Sequence, residues 1–66
     1  MEILLNGEPR QIADDKTLTE LLADHGYGER RVAVEINHEI VPRSRHAQTT
    51  LKPNDRVEIV HAIGGG

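Results

Sequence analysis

The chain has no cysteine, no phenylalanine and no tryptophan, and Tyr27 is its only tyrosine. Without cysteine there is no disulfide, no thiolate metal ligand and no catalytic thiol. With a single aromatic side chain, stacking against nucleic-acid bases has almost no supply, and any core must be aliphatic. Long apolar runs are missing as well. No stretch reaches the ~20 residues that a membrane-spanning helix needs, and the opening MEILLNGEPR lacks the basic and apolar regions of a signal peptide. A cytoplasmic protein that binds no membrane is the expectation. Positive charge is also scarce: 8 Lys and Arg stand against 11 Asp and Glu, for a formal charge of −3. A nucleic-acid binder would need a basic stripe to neutralise phosphates, so that class is set aside.

What is present fits one small domain. A domain of 66 residues buries only about 60% of the surface its unfolded chain exposes. It has room for one thin core and none for a deep cleft. Met1, Ile3 and Leu5 alternate with Glu2, Leu4 and Asn6, the period of a strand with one buried face. Asn6-Gly7 is a strong hairpin signal because both residues tolerate positive φ. The return strand, Glu8 to Ile12, contains Pro9, which cannot donate to a ladder, so it is expected at a sheet edge.

Thr17 and Glu20 form a T-x-x-E capping box. Leu18, Leu21, Leu22 and His25 follow at i, i+3, i+4 and i+7, one face of a helix, and Gly26 is placed to stop it. Val32, Val34 and Ile36 then alternate with Ala33, Glu35 and Asn37 as a third strand. Asn37-His38 makes a turn into a short strand, Glu39 to Val41, which Pro42 limits. Arg43 to Thr50 is polar and is expected to hold at most one helical turn. LKPND reads as a turn, and RVEIVHAI as the last strand, with Val57 and Ile59 on one face and Glu58, Val60 and Ala62 on the other.

A hairpin, a helix, a strand pair and a final strand imply an α+β fold. It has a mixed sheet of about five strands with one main helix on one face, the layout of a β-grasp or ubiquitin-like domain. That domain is expected over residues 1–62, with a flexible glycine tail at 63–66.

Catalytic and metal-binding patterns find little support. His25, His38, His46 and His61 have no partner histidine at helical ligand spacing and no H-E-x-x-H, so no metal site is expected. His25, near a helix C-terminus, suits the helix dipole. Ser44, the only serine, lies two residues from His46 but outside a G-x-S-x-G context. No phosphate-cradling loop is present, since Asn6-Gly7 lacks the P-loop lysine and hydroxyl. The body reads as a scaffold without a catalytic centre of its own.

The chain ends Gly64-Gly65-Gly66. Glycine costs the most backbone entropy to order, so this ending is either a frayed terminus or a thin strap that presents its carboxylate to another protein. An enzyme that adenylates the carboxylate with ATP makes it reactive toward a sulfur donor, and a terminal glycine leaves the attacked carbonyl uncrowded. The tail by itself leaves both readings open.

The whole chain resembles the sulfur-carrier proteins of bacterial thiamine biosynthesis, the ThiS type. The resemblance rests on chain length, MEILLNGE, TLTELL, VAVEINHEIVPRS, DRVEIVHAI and the closing Gly65-Gly66. Where a Gly-Asp turn is common before the last strand, this chain has Asn54-Asp55, and Asn tolerates the left-handed region that glycine favours there. The di-glycine is shared with ubiquitin and with the small subunit of molybdopterin synthase.

The resemblance implies that Gly66 carries an acyl-adenylate and then a thiocarboxylate, with Gly64 and Gly65 as the part threaded into a partner's channel. It implies an E1-like (ThiF-type) adenylyltransferase, a cysteine-desulfurase persulfide relay as sulfur donor, and a thiazole synthase (ThiG-type) as acceptor. ATP and magnesium would belong to the activating enzyme, with no cofactor bound here. Alternatives are a sulfur carrier for molybdopterin, a ubiquitin-like modifier that forms isopeptide bonds, and an interaction module with an inert tail.

Alternation also predicts a partner surface. If Ile3, Leu5, Val34, Val57 and Ile59 face the helix, Leu4, Ala33, Val60 and Ala62 face away, rimmed by Glu2, Glu35 and Glu58. Exposed apolar patches with polar rims often mark partner sites, and isolated surface aliphatics are the alternative.

Overall fold

The computed structural model describes residues 1–28 and 30–61. Its elements are β1 (Glu2–Leu5), β2 (Glu8–Gln11), α1 (Leu18–Asp24), β3 (Val32–Ile36), β4 (Glu39–Val41), a 3-10 helix (Arg43–Gln48) and β5 (Arg56–His61). The strands make one mixed sheet in the order β2-β1-β5-β3-β4. β5 runs parallel to β1 and antiparallel to β3, and the two hairpins are antiparallel. This is the β-grasp arrangement. No helix among the described residues is long and apolar enough to cross a membrane.

Both hairpins turn through residues with positive φ. Asn6 and Gly7 sit at φ 50° and 83°, and Asn37 and His38 at 53° and 69°, the mirror-image turn geometry that matches the twist of flanking strands. Pro9 lies on β2, opposite Leu4, at the sheet edge, where its missing N–H costs no ladder bond.

The two asparagines also tie the hairpins to the central strand. Asn6 donates its backbone N–H to the Val57 carbonyl at 2.8 Å, and its side-chain oxygen accepts the Ile59 N–H at 2.8 Å. Asn37 does the same from the other side: its N–H meets the Arg56 carbonyl at 2.8 Å, and its Oδ1 accepts the Arg56 N–H at 3.0 Å. The LKPND turn is held by Asp55. Its carboxylate accepts the Lys52 N–H at 2.8 Å and the Asn37 side-chain amide at 3.0 Å, and Asn54 takes φ 70°.

The helix begins at the capping box. The Glu20 N–H donates to the Thr17 hydroxyl at 3.2 Å, and the Thr17 N–H donates to the Glu20 carboxylate at 2.9 Å. Its end is a Schellman motif: the Tyr27 N–H reaches the Leu22 carbonyl at 2.8 Å and the Gly26 N–H reaches that of Ala23 at 3.2 Å. Gly26, at φ 83°, takes the left-handed position that an L side chain would strain. Leu18, Leu21 and Leu22 are buried against Ile3, Leu5, Val34, Leu51, Val57 and Ile59, with Met1, Ile12, Tyr27, Val32, Ile36 and Val41 packed around them.

Three sequence expectations are corrected. His25 is not part of the buried helix face; it is the exposed C-cap, its Nδ1–H donating to the Leu21 carbonyl at 3.0 Å. The segment expected to hold at most one turn forms a six-residue 3-10 helix over Arg43–Gln48, about two turns at three residues each. Its buried side is His46, whose imidazole meets the Val41 carbonyl at 3.0 Å, so a polar residue occupies the place where periodicity looks for an apolar one. Leu51, placed in a turn by its neighbours Pro53 and Asn54, is only 2% exposed and completes the core.

Candidate functional site

The face of the sheet turned away from α1 is assembled by pairing. Leu4 of β1 lies opposite Pro9 and Arg56. Ala33 lies opposite Val60, Glu35 opposite Glu58, and Glu35 opposite Ile40. Residues directly opposite share a face, so these side chains form one surface. Ala33 is exposed and Leu4 half-buried, while Val60 is 61% exposed and Ile40 74%. Ile40 belongs to this patch and was not singled out in the sequence, because a lone Ile between Glu39 and Val41 carries no sign of which face it takes until β4 is paired.

Charge surrounds the patch. Glu2 and Glu58 are exposed and Glu35 is half-buried. Two carboxylates directly opposite each other repel, and the His38 Nδ1 lies 3.9 Å from the Glu58 carboxylate. One ligand atom from each of Glu35, His38 and Glu58 falls within 4.8 Å of the others. An imidazole and two carboxylates are donors a divalent cation can use, although the sequence spacing of 35, 38 and 58 matches no metal motif. The β3–β4 turn and the β3–β5 ladder bring them together. Beside them Leu4, Gly7, Arg56 and Glu58 line a shallow depression.

The serine–histidine pair has no such geometry. Ser44 is exposed on the 3-10 helix, His46 is buried beside the Val41 carbonyl, and no hydrogen bond joins them among the described residues.

The groups whose titration the fold displaces lie around α1. The Thr17 N–H and hydroxyl hold Glu20 below its usual pKa. The Lys16–Asp24 hydrogen-bonded ion pair lowers the Asp24 carboxyl and raises the Lys16 ammonium. These are helix-stabilising pairs on the molecule's surface.

β5 carries the chain toward its C-terminus. Its last described residue, His61, pairs with Val32, and the His61 ring lies 5.6 Å from that of Tyr27, tilted by 48°. Of the residues singled out in the sequence, Leu4, Ala33, Glu58 and Val60 therefore share the open face, whereas Ala62, Gly64, Gly65 and Gly66 lie outside the described residues.

A family model described as the ThiS family matches residues 3–66. The chain is 46% identical over 66 residues to a thiazole synthase of Paramagnetospirillum magneticum, all of this chain aligning with 20% of that one. It thus spans about a fifth of the thiazole synthase relatives it matches. It is 35% identical over 66 residues to the sulfur carrier protein ThiS of Escherichia coli, covering 100% of both chains. Among solved structures it superimposes on the thiamine biosynthesis protein (ThiS) of Geobacter metallireducens with a TM-score of 0.87, at 35% identity and full coverage of both chains. A matched model over nearly the whole chain, a full-length relative and a shared β-grasp fold agree: the chain belongs to the ThiS family.

Proposed function

We propose that this chain is a sulfur carrier of thiamine biosynthesis, a protein co-substrate without a catalytic centre of its own. The Gly66 carboxylate attacks the α-phosphorus of ATP on an E1-like, ThiF-type adenylyltransferase, and pyrophosphate leaves. A persulfide of a cysteine-desulfurase relay displaces AMP to give an acyl disulfide, and a second thiol reduces that bond, leaving the thiocarboxylate and a disulfide. Thiazole synthase, of the ThiG type, then accepts the sulfur. ATP and magnesium act on the activating enzyme, and the reactions take place in the cytoplasm.

The observation that carries this reading is the match of the family model through to residue 66, five residues past His61, the last described residue of the central strand. Five residues reach at most about 17 Å when extended, so the chain's end can enter a partner's site while the folded body stays outside. Gly64 and Gly65 make that reach thin. The open face of Leu4, Ala33, Glu58 and Val60 lies on the same strands and serves as the docking surface. The 46% likeness to a thiazole synthase five times as long supports that enzyme as the acceptor, since a carrier and its acceptor work in sequence on one sulfur.

Intact-mass measurement tests this. The full chain is incubated with the activating enzyme from the same source, Mg-ATP and sulfide. One sulfur gained in place of one oxygen, absent when Gly65-Gly66 is deleted, is the expected result. An unchanged mass overturns the carrier reading, and a covalent amide adduct in its place indicates a protein modifier.

A further inference from the structure

We propose that Glu35, His38 and Glu58 form a binding site for one divalent cation of the zinc class on the open face of the sheet. The site stands on its own geometry and does not depend on the carrier reading.

The backbone brings the three donors together. Glu35 on β3 lies directly opposite Glu58 on β5, so both carboxylates rise from the same face. His38 stands in the β3–β4 turn, where Asn37 and His38 hold φ 53° and 69°. That turn is fastened to β5 close to Glu58. The Asn37 N–H donates to the Arg56 carbonyl at 2.8 Å, the Arg56 N–H donates to the Asn37 Oδ1 at 3.0 Å, and the Asn37 Nδ2 donates to the Asp55 carboxylate at 3.0 Å. Two paired strand positions and one pinned turn thus present the donors on a fixed frame, the support that a metal site needs.

Spacing and donor type select the ion. One ligand atom from each residue lies within 4.8 Å of the others, and the His38 Nδ1 is 3.9 Å from the Glu58 carboxylate. Ligands around a tetrahedral zinc ion, with bonds of about 2.0–2.2 Å, stand about 3.3–3.6 Å apart. Small rotations of the exposed His38 and Glu58 side chains close the difference. An imidazole nitrogen beside two carboxylates suits zinc better than magnesium, which prefers an all-oxygen shell and gives up its waters reluctantly. Three protein ligands leave a fourth position, and the depression lined by Leu4, Gly7, His38, Arg56 and Glu58 gives water access to it.

Charge supplies a second argument. Carboxylates opposed across neighbouring strands repel, and no Lys or Arg among the described residues makes an ion pair with either one. Arg56 has the same parity as Glu58 and still forms no ion pair with it. A bound cation turns that repulsion into shared ligation. Because the frame exists only in the folded chain, binding adds to stability by mass action.

The test titrates the full, chelator-treated chain with zinc chloride, followed by calorimetry and by NMR of the backbone amides and histidine rings. One ion per chain is expected, with the largest shifts at Glu35, His38 and Glu58 and a thermal midpoint that rises with zinc. His38→Gly is the primary variant. Glycine takes positive φ freely, and the turn becomes an Asn-Gly pair like that of the first hairpin. Glu58→Gln keeps the strand's shape and tests the site independently of the turn. Zinc affinity should fall by roughly tenfold or more in each, at least the loss seen when a supporting residue of a metal site is removed. His25→Ala and His61→Ala should bind as wild type. Absence of saturable binding overturns the site, as does full affinity in either His38→Gly or Glu58→Gln, or shifts centred on His25, His46 or His61. A magnesium response as strong as that to zinc overturns the assigned ion class.

Discussion

The two faces of the sheet are built by the same strands and differ only in whether a residue's place is odd or even. On the helix face, Ile3, Leu5, Val34, Val57 and Ile59 are each at most 7% exposed. On the other, Val60 and Ile40 stand in solvent among Glu2, Glu35 and Glu58. In so small a domain the closed face supplies nearly all the apolar burial that opposes chain entropy. The open face adds little to stability and even carries a like-charge pair. Folding and recognition are thus assigned to alternate residues of one strand, and a substitution at Ile59 or at its neighbour Val60 tests a different property.

The largest effect is expected at the C-terminus. Deleting Gly65-Gly66 abolishes thiocarboxylate formation in the mass assay and leaves the thermal midpoint unchanged. A shifted midpoint would mean that these glycines take part in the fold. Next comes the closed face. Leu21 is fully buried, and Leu21→Ala should cost about 2–5 kcal/mol of unfolding free energy, read by urea denaturation. A loss much smaller than that would break the assignment of stability to this face.

The open face should respond in the opposite sense. Glu58→Lys replaces the Glu35–Glu58 repulsion with a cross-strand ion pair. Stability is expected to hold or rise, by about 0.2–1 kcal/mol, while affinity for the activating enzyme falls in calorimetric titration. Loss of stability together with unchanged binding would erase the distinction between the faces.

The smallest effect concerns the helix cap. Thr17→Ala should cost about 1 kcal/mol at neutral pH. Glu20 is held below its ordinary value of 4.5 in the folded state by the Thr17 N–H and hydroxyl. A carboxyl with a depressed folded pKa stabilises the protein above its unfolded value, and that contribution is lost as pH falls through the folded one. The stability difference between wild type and Thr17→Ala, measured by denaturation across pH, should therefore narrow below about pH 4.5.

Much of the fold was legible because its signals are local. The capping box, the two positive-φ turns, the proline on the edge strand and the alternation in β1, β3 and β5 each lie within a few residues and agree with one another. What escaped depends on closure of the chain. His46 is buried only because the 3-10 helix folds back beneath Val41, and Leu51 fills the core from what looks like a turn. Ile40 gains its face from pairing with Glu35, and Glu35, His38 and Glu58 meet only across the ladder. The open face followed from parity alone, so Leu4, Ala33, Glu58 and Val60 were found by counting along strands. Tyr27 and His61 carry no motif, and their contact joins elements 34 positions apart.

The parallel pairing of β1 with β5 also has a mechanical consequence. β1 is the first strand and β5 the last of the described residues, so a pull on Met1 and His61 draws the strands past each other in shear. The Leu4 N–H on the Asp55 carbonyl, the Asn6 N–H on Val57 and the Ile59 N–H on the Asn6 side chain then bear load together instead of opening one at a time. A pull of that kind loads the chain along the direction in which its sheet resists most.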